Sequence, residues 1–158
     1  MMKNVSVVFV CLGNICRSPT AEGVFRQLVS KRGLSEYFQI DSSGTSDWHV
    51  GEAPDSRATQ AAQTRGIDLS QLKARQATAR DFAEFDYVIA MDDENYANLS
   101  RLATPAQQDK LHLLLDFANN VTETEVPDPY FGGGFPHVFE LIENASEGLL
   151  NHIIAEHV

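Results

Sequence analysis

The sequence contains little cysteine, only two residues among 158, and both lie in one short segment, at positions 11 and 16. Two cysteines are too few for the disulfide framework of a small secreted protein. The sequence also lacks an apolar run long enough to cross a bilayer, and the apolar part of the first residues, MMKNVSVVFV, is too short for a signal peptide. These absences predict a cytoplasmic protein that does not associate with membranes.

Positive charge is also scarce, with 12 Lys and Arg residues against 22 Asp and Glu residues and a net charge of −10. Such an acidic chain is not expected to bind nucleic acid or acidic membranes, so a site for an anion must be built locally. A nucleotide-binding G-K-S/T loop and a redox C-x-x-C pair are absent. We expect no metal and no cofactor, because no metal-ligand spacing is found among the five histidines His49, His112, His137, His152 and His157.

The length and the hydrophobic content of 43% suit one domain with a full core, so we predict a single domain over residues 1–158. Apolar, β-branched segments alternate along the chain with segments of helical periodicity. Strands are predicted at 5–10, 38–45, 85–92 and 110–117, and helices at 19–32, 55–65, 93–103 and 138–157. This alternation is typical of an α/β fold in which a parallel sheet is covered by helices on both faces.

Between the first predicted strand and the first predicted helix lies a turn that reads Cys11-Leu12-Gly13-Asn14-Ile15-Cys16-Arg17-Ser18. Gly13 and Asn14 tolerate left-handed backbone conformations, which lets successive N–H groups point inward and form a nest for an anion. The positive end of the helix dipole and the planar guanidinium of Arg17 are both directed at this anion site. A thiol next to this positive charge ionises readily. The turn therefore predicts a cradle that presents the Cys11 thiolate to a phosphate, and residues 11–18 are called the phosphate loop below.

Residues 11–22, C-L-G-N-I-C-R-S-P-T-A-E, resemble the signature of the low molecular weight protein tyrosine phosphatases. The segments 41–51, 73–78, 85–92 and 126–133 resemble that family's other segments in the same order, so the similarity covers nearly the whole chain. The resemblance implies a four-stranded parallel sheet with helices on both faces. It also implies hydrolysis of phosphotyrosine through a phosphocysteine intermediate, with Cys11 as nucleophile, Arg17 as phosphate clamp and Asp128 as general acid and then base.

The surroundings of Asp128 suit that role. It lies between Pro127 and Pro129, which hold the backbone extended and stiff. A departing phenolate needs a proton and the water that follows needs a base, and one carboxyl group can serve both steps. Trp48, the only tryptophan, and Tyr130 are predicted to form the walls of a slot for a flat phenyl ring, although Trp48 could equally anchor its own loop.

Other polar residues are expected to support the loop. The resemblance implies that Ser18 donates a hydrogen bond to the Cys11 thiolate, although Ser18 also suits a helix cap. The resemblance further implies that Asn14 and Ser42 brace the loop, although both suit ordinary turns. Asp92 ends the third predicted strand at the same edge of the sheet, and its expected role is a helix N-cap.

Cys16 suits two roles. It could be a small buried apolar residue. In the family that the chain resembles, the matching cysteine forms a reversible disulfide with the nucleophile, which would shield Cys11 from irreversible oxidation. Both cysteines lie in one loop, so a bridging distance is feasible.

The chain departs from the family pattern in places. Leu72 stands where mammalian members often carry a histidine, which removes a candidate brace for the loop. Tyr130 and Phe131 stand where the family has two tyrosines, so phosphorylation there could use only Tyr130. His49 adjoins Trp48 and is a candidate contact to substrate.

Four alternatives stay open at this point. An arsenate reductase shares the fold and the loop but needs relay cysteines beyond Cys16. A phosphoarginine phosphatase of the same family tends to have threonine where this chain has Ile15. A phosphocysteine carrier domain of sugar transport would not need Asp128, and a non-catalytic phosphate-binding module would not need Cys11, Arg17 and Asp128 together.

The resemblance also sets expectations for partners. The expected substrate is a tyrosine-phosphorylated protein, and a tyrosine kinase is a candidate partner. The chain is expected to be a monomer or a weak dimer.

Overall fold

The computed structural model describes residues 2–158. Its sheet has four strands, which are β1 (Val5–Cys11), β2 (Phe38–Gly44), β3 (Tyr87–Ala90) and β4 (Leu111–Leu113). The strands lie in the order β2-β1-β3-β4, and each neighbouring pair is parallel. The predicted α/β fold with a four-stranded parallel sheet is confirmed.

Within residues 2–158, six helices accompany the sheet. They are α1 (Arg17–Lys31), α2 (Ser56–Gln63), α3 (Ala79–Glu84), α4 (Asp93–Ser100), α5 (Pro129–Gly132) and α6 (Phe135–His157). Short 3-10 helices lie at Ser35–Tyr37, Pro105–Lys110 and Leu114–Phe117.

The central strand β1 is buried on both faces because every one of its seven side chains is covered. Val7 and Phe9 point to one face and pack with residues of α1 and α6, such as Phe25 and Ile142. Val8 and Val10 point to the other face, and they belong to a second apolar cluster that contains residues of α3 and α4. Strands buried on both faces read as continuous apolar runs, which is why the run at 5–10 identified this strand.

The structure shortens a predicted strand and adds a helix that was not predicted. The predicted strand 110–117 is a strand only at Leu111–Leu113, and the chain then turns into the 3-10 helix Leu114–Phe117 that packs against α6. Leu114 and Leu115 are buried in that turn, so an apolar run looked like a longer strand. Helix α3 was not predicted, because six residues are too few to display a helical period.

The last helix begins at Phe135, three residues before the predicted start. Pro136 lies in its first turn, where a proline has no hydrogen bond to lose. The preceding segment, predicted as a loop, contains the single-turn helix α5.

The carboxyl ends of the parallel strands meet at one edge of the sheet. Cys11 ends β1, Gly44 ends β2, and Asp92 follows β3 by two residues. In an open α/β sheet, ligands bind in the crevice outside these ends. Within residues 2–158, no helix has the length and apolarity needed to span a membrane, and no group of three or more His, Cys, Asp or Glu side chains is placed to hold a metal ion.

Candidate active site

The phosphate loop leaves β1 at Cys11 and enters α1 at Arg17. Asn14 adopts a left-handed backbone conformation with a φ of 58°, whereas Gly13 does not. A Cβ at Gly13 would lie 3.0 Å from Cδ2 of His49, so a larger residue there would require the partly exposed His49 side chain to shift slightly. The left-handed turn of the loop therefore lies at Asn14, and Gly13 leaves room for the His49 ring.

The Cys11 side chain is buried at the base of the loop. The backbone N–H of Asn14 donates to its sulfur at 3.3 Å, and the Ser18 hydroxyl oxygen lies 3.0 Å from the same sulfur. The Ser43 carbonyl, the other acceptor within reach of Ser18, lies farther away at 3.3 Å. Ser18 makes no helix cap, since α1 has no side-chain cap and the hydroxyl faces the sulfur.

The side chain of Asn14 sets the direction of the hydrogen bonds around the sulfur. Its Oδ1 accepts the backbone N–H of Arg75 at 3.0 Å, so Nδ2 is free to donate to Ser18 at 2.8 Å and to Ser42 at 3.0 Å. Because the Ser18 oxygen accepts from Asn14, the Ser18 hydrogen remains available to Cys11. The structure thus brings Asn14 and Ser42 together, and the backbone N–H of Arg75 also holds the Asn14 side chain.

Glu22 is a buried carboxylate that the sequence analysis did not single out. It accepts a hydrogen bond from the Ser42 hydroxyl at 2.7 Å and two from Arg26 at 2.9 and 3.0 Å. Burial raises the pKa of Glu22 despite these hydrogen bonds, which act in the opposite direction. By taking the Ser42 hydrogen, Glu22 leaves the Ser42 oxygen as an acceptor for Asn14. In the sequence, Glu22 could have been recognised as a supporting residue because it follows Ser18 by one helical turn.

Arg17 is the cation of the site, and only 2% of its side chain is exposed. Its Nη1 donates to Asp92 at 2.6 Å and to the Val126 carbonyl at 3.0 Å, while its Nη2 lies 3.5 Å from Oδ2 of Asp128. Burial opposes the charge, but the nearby Cys11 and Asp92 outweigh burial, so the pKa of Arg17 is raised above its ordinary value. The guanidinium therefore remains charged at the base of the cleft.

Asp92 uses both of its carboxylate oxygens. Oδ1 accepts the backbone N–H of Asn95 at 2.7 Å, which caps α4, and Oδ2 pairs with Arg17. The sequence predicted only the cap. The ion pair could not be read locally, since Arg17 and Asp92 lie 75 residues apart.

Asp128 is the second carboxylate beside the Arg17 guanidinium. The backbone N–H of Val126 donates to the Met91 carbonyl at 2.8 Å, which fixes the segment next to the end of β3. Asp128 Oδ1 accepts the backbone N–H of Tyr130 at 3.0 Å and caps α5, while Oδ2 faces Arg17. About 30% of the Asp128 side chain is exposed, so the carboxyl group can reach a ligand in the cleft.

Aromatic side chains surround the mouth of the cleft above Cys11. Trp48 and Tyr130 line it together with His49 and Phe131, and Leu12, Ile15 and Cys16 line its lower part. Trp48 is 67% exposed, which does not fit the alternative that it anchors its loop. The ring centroids of His49 and Tyr130 are 6.0 Å apart. The mouth therefore offers aromatic side chains that a ligand can contact.

Cys16 is the second cysteine of the phosphate loop. Both cysteines are free and buried. Burial raises the pKa of the Cys16 thiol to about 12, and the nearby carboxylate of Asp55 adds to the effect. Cys16 is therefore a protonated thiol near neutral pH, which leaves Cys11 as the candidate nucleophile of the loop.

The end of β2 supports the phosphate loop from behind. The backbone N–H groups of Thr45 and Ser46 donate to the carbonyls of Cys11 and Leu12 at 2.8 and 2.9 Å. A Cβ on Gly44 would lie 2.8 Å from the Leu12 carbonyl oxygen, so only glycine allows this approach. Gly44 is a second supporting residue that the sequence analysis did not single out.

The arrangement suits transfer of a phosphoryl group. The Cys11 sulfur accepts the Asn14 N–H and shares one cleft with the buried Arg17 guanidinium, which can neutralise phosphate oxygens. A partly exposed carboxyl group at the mouth can exchange a proton with the group that leaves or enters.

Comparison with known proteins agrees with this chemistry. The profile of the family described as low molecular weight phosphotyrosine protein phosphatase matches residues 6–158. The low molecular weight protein-tyrosine-phosphatase YfkJ of Bacillus subtilis is 41% identical over 96% of this chain and 97% of its own length. The crystal structure of a protein tyrosine phosphatase from Entamoeba histolytica superposes with a TM-score of 0.94 at 37% identity, covering 97% of this chain and 99% of that one. A Drosophila arginine phosphatase superposes with a TM-score of 0.86 at 35% identity, covering 96% and 97%.

Proposed function

This chain belongs to the low molecular weight phosphotyrosine protein phosphatase family and is a protein-tyrosine phosphatase, and we propose that it acts through a phosphocysteine intermediate on Cys11. The observation that carries the proposal is the convergence of the Cys11 sulfur, the Arg17 guanidinium and the Asp128 carboxyl group on one cleft. The three residues come from separate parts of the sequence.

In the first step, the Cys11 thiolate attacks phosphorus. The S–P bond forms and the P–O bond to the tyrosine oxygen breaks, and its electron pair leaves with the phenolic oxygen. That oxygen takes a proton from Asp128. The N–H groups of the phosphate loop and Nη2 of Arg17, the nitrogen that Asp92 does not bind, hold the phosphate oxygens during the transfer.

In the second step, a water molecule attacks the phosphocysteine. Asp128, now a carboxylate, accepts the proton of the water as the P–O bond forms and the S–P bond breaks. The sulfur leaves as a thiolate, and the Ser18 hydroxyl and the Asn14 N–H are placed to stabilise its charge. Phosphate is released with the site restored.

The position of Arg17 supports its role as the clamp. Asp92 and the Val126 carbonyl hold Nη1, whereas Nη2 is directed toward the cleft and Asp128. Because Nη1 is already held, the Arg17 side chain loses less conformational entropy when Nη2 binds phosphate. Asp92 is thus a positioning residue for Arg17.

The aromatic residues at the mouth of the cleft favour an aryl phosphate over a phosphoarginine as substrate. Trp48 and Tyr130 offer flat apolar faces to a phenyl ring. Ile15 adds an apolar side chain to the lower part of the cleft. The substrate class proposed is therefore a protein that carries phosphotyrosine.

The proposal is tested by trapping the intermediate. Enzyme that is mixed with a phosphotyrosine analogue and quenched in acid should carry one phosphoryl group, and peptide mass spectrometry should place that group on Cys11. A burst of released phenol equal to the enzyme concentration should precede steady turnover. Phosphate on another residue, or turnover without any phosphoenzyme, would contradict the cysteine route.

We also propose that Cys16 protects Cys11 in the cytoplasm. The Cys11 thiolate would attack one oxygen of hydrogen peroxide, so that the O–O bond breaks, a sulfenic acid forms and hydroxide leaves. The Cys16 thiolate would then attack that sulfur, so that a disulfide forms and hydroxide leaves. A thiol donor reverses the bond by exchange.

The high pKa of Cys16 predicts how this protection depends on pH. With a pKa of about 12, only a small fraction of Cys16 is thiolate, and this fraction rises with pH. Formation of the disulfide after a peroxide pulse should therefore accelerate by up to about tenfold per pH unit from pH 6 to 9. The measurement is activity regained with dithiothreitol as a function of delay and pH. The Cys16→Ser variant should regain little activity at any pH in this range. Equal recovery of activity in both proteins would show that Cys16 only packs in the loop and does not protect Cys11.

A further inference from the structure

Arg17 binds the start of the segment that carries Asp128, and a second side chain from outside the segment, Arg57 of α2, binds it beyond Asp128. Arg57 Nη2 donates to the Tyr130 carbonyl at 3.0 Å. The guanidinium carbon also lies 5.7 Å from the ring centroid of Tyr130 and 4.9 Å from that of Phe135. Arg57 thus contacts both sides of the glycine-rich stretch 132–134.

The same guanidinium is connected to the phosphate loop. Arg57 Nε and Nη2 each lie 3.1 Å from a carboxylate oxygen of Asp55. The backbone N–H of Asp55 donates to the Ile15 carbonyl at 2.8 Å. Phe135 also packs against the cluster that contains Ile15 and Cys16. The Asp55–Arg57 pair therefore bridges the nucleophile's loop and the segment of the acid.

The glycines explain why such a bridge matters. Gly133 and Gly134 have φ values of 79° and 82°, and the space around residues 132–134 is open. Glycines of this kind leave the backbone with more conformational freedom than other residues. Because Asp128 Oδ1 accepts the N–H of Tyr130, a displacement of Tyr130 moves the carboxyl group as well.

We propose that Arg57 is a positioning residue for the general acid: it fixes Tyr130, and through Tyr130 it holds the Asp128 carboxyl group over the phosphate loop. The inference rests on the proposed function of Asp128 as the acid. Arg57 does not touch the reacting atoms in this arrangement. Its planar fork is needed because it binds Asp55, the Tyr130 carbonyl and two aromatic faces together, which a lysine cannot do.

The test compares leaving groups in the Arg57→Lys and Arg57→Met variants. A misplaced acid slows the departure of a basic phenolate more than that of a nitrophenolate. We expect kcat/KM to fall about tenfold for phenyl phosphate, within the ~100-fold cost of an ångström's misplacement, and less than about twofold for 4-nitrophenyl phosphate. The inhibition constant of inorganic phosphate should stay unchanged, because the phosphate loop remains intact.

Two controls match these variants. Arg65 follows α2 and makes the same kinds of contact elsewhere, since its guanidinium lies 4.3 Å from the Phe139 ring centroid and 3.4 Å from Glu143. Arg65→Met should leave both substrates unchanged. Asp55→Asn retains a good helix cap and removes the charge beside Arg57, so it should cost much less than Arg57→Met.

A double-variant cycle with Asp128→Asn separates the two proposals. If Arg57 acts through the acid, Arg57→Lys should have almost no further effect on phenyl phosphate once Asp128 is Asn. An undiminished effect in that background, or an equal loss for both substrates, would overturn the role of Arg57 while the acid stands. If Asp128→Asn alone fails to discriminate between the leaving groups, the proposed acid itself is wrong and the inference fails with it.

Discussion

Cys11→Ser should abolish hydrolysis of a phosphotyrosine analogue while the phosphate loop still binds inorganic phosphate. A serine hydroxyl is almost fully protonated near neutral pH, so the nucleophile is lost, whereas the N–H groups and Arg17 remain in place. We expect kcat to fall by more than about 10⁴-fold, because the whole covalent route disappears. The measurement is steady-state turnover beside a titration with phosphate followed by NMR.

The other cysteine provides the matched control. Cys16→Ser removes a thiol from the same loop, but burial keeps that thiol protonated and it has no place in the proposed reaction. The Cys16→Ser variant should retain most of the turnover. Substantial activity in Cys11→Ser, or a comparable loss in Cys16→Ser, would show that the nucleophile has been assigned to the wrong residue.

The parts of the molecule that could be predicted are those encoded by neighbouring residues. The phosphate loop lies within eight consecutive positions, and the strand before it is an uninterrupted apolar run. Prolines at 127 and 129 similarly marked the segment of Asp128. Local patterns of this kind survive in the sequence because each depends on its own backbone and on its immediate neighbours.

The parts that could not be predicted depend on residues far apart in the chain. Asn14 is fixed by Ser42 and by the backbone of Arg75, 28 and 61 residues away. Arg57 donates a hydrogen bond to the carbonyl of Tyr130, which lies 73 residues later in the sequence. No periodicity links such pairs, and only the fold brings them into contact. The missed helix α3 and the shortened β4 have a different cause, since both are too short for their periods to be distinguished.

Asp128→Asn should slow phosphoenzyme formation far more for phenyl phosphate than for 4-nitrophenyl phosphate. Asparagine keeps the size of the side chain and can still accept the N–H of Tyr130, but it cannot donate a proton. The phenolate of phenyl phosphate needs that proton in the transition state, whereas a nitrophenolate is stabilised by its own ring. General acid catalysis is typically worth about 10²–10⁴-fold, which sets the loss expected for phenyl phosphate. Single-turnover release of the phenol at several pH values is the measurement.

Asp92→Asn is the control that decides between the two carboxylates of the site. One carboxylate oxygen of Asp92 accepts the N–H that caps α4, and the other accepts a hydrogen bond from Arg17. Asp92 therefore has no oxygen free to protonate a leaving group. Asp92→Asn should therefore weaken phosphate binding and slow both substrates to a similar extent, because the clamp is less well held. Asp128→Asn should instead discriminate between the substrates and flatten the fall in rate at high pH, where a general acid loses its proton. If the discrimination appears in Asp92→Asn and not in Asp128→Asn, then Asp92 is the acid and Asp128 serves only to cap α5.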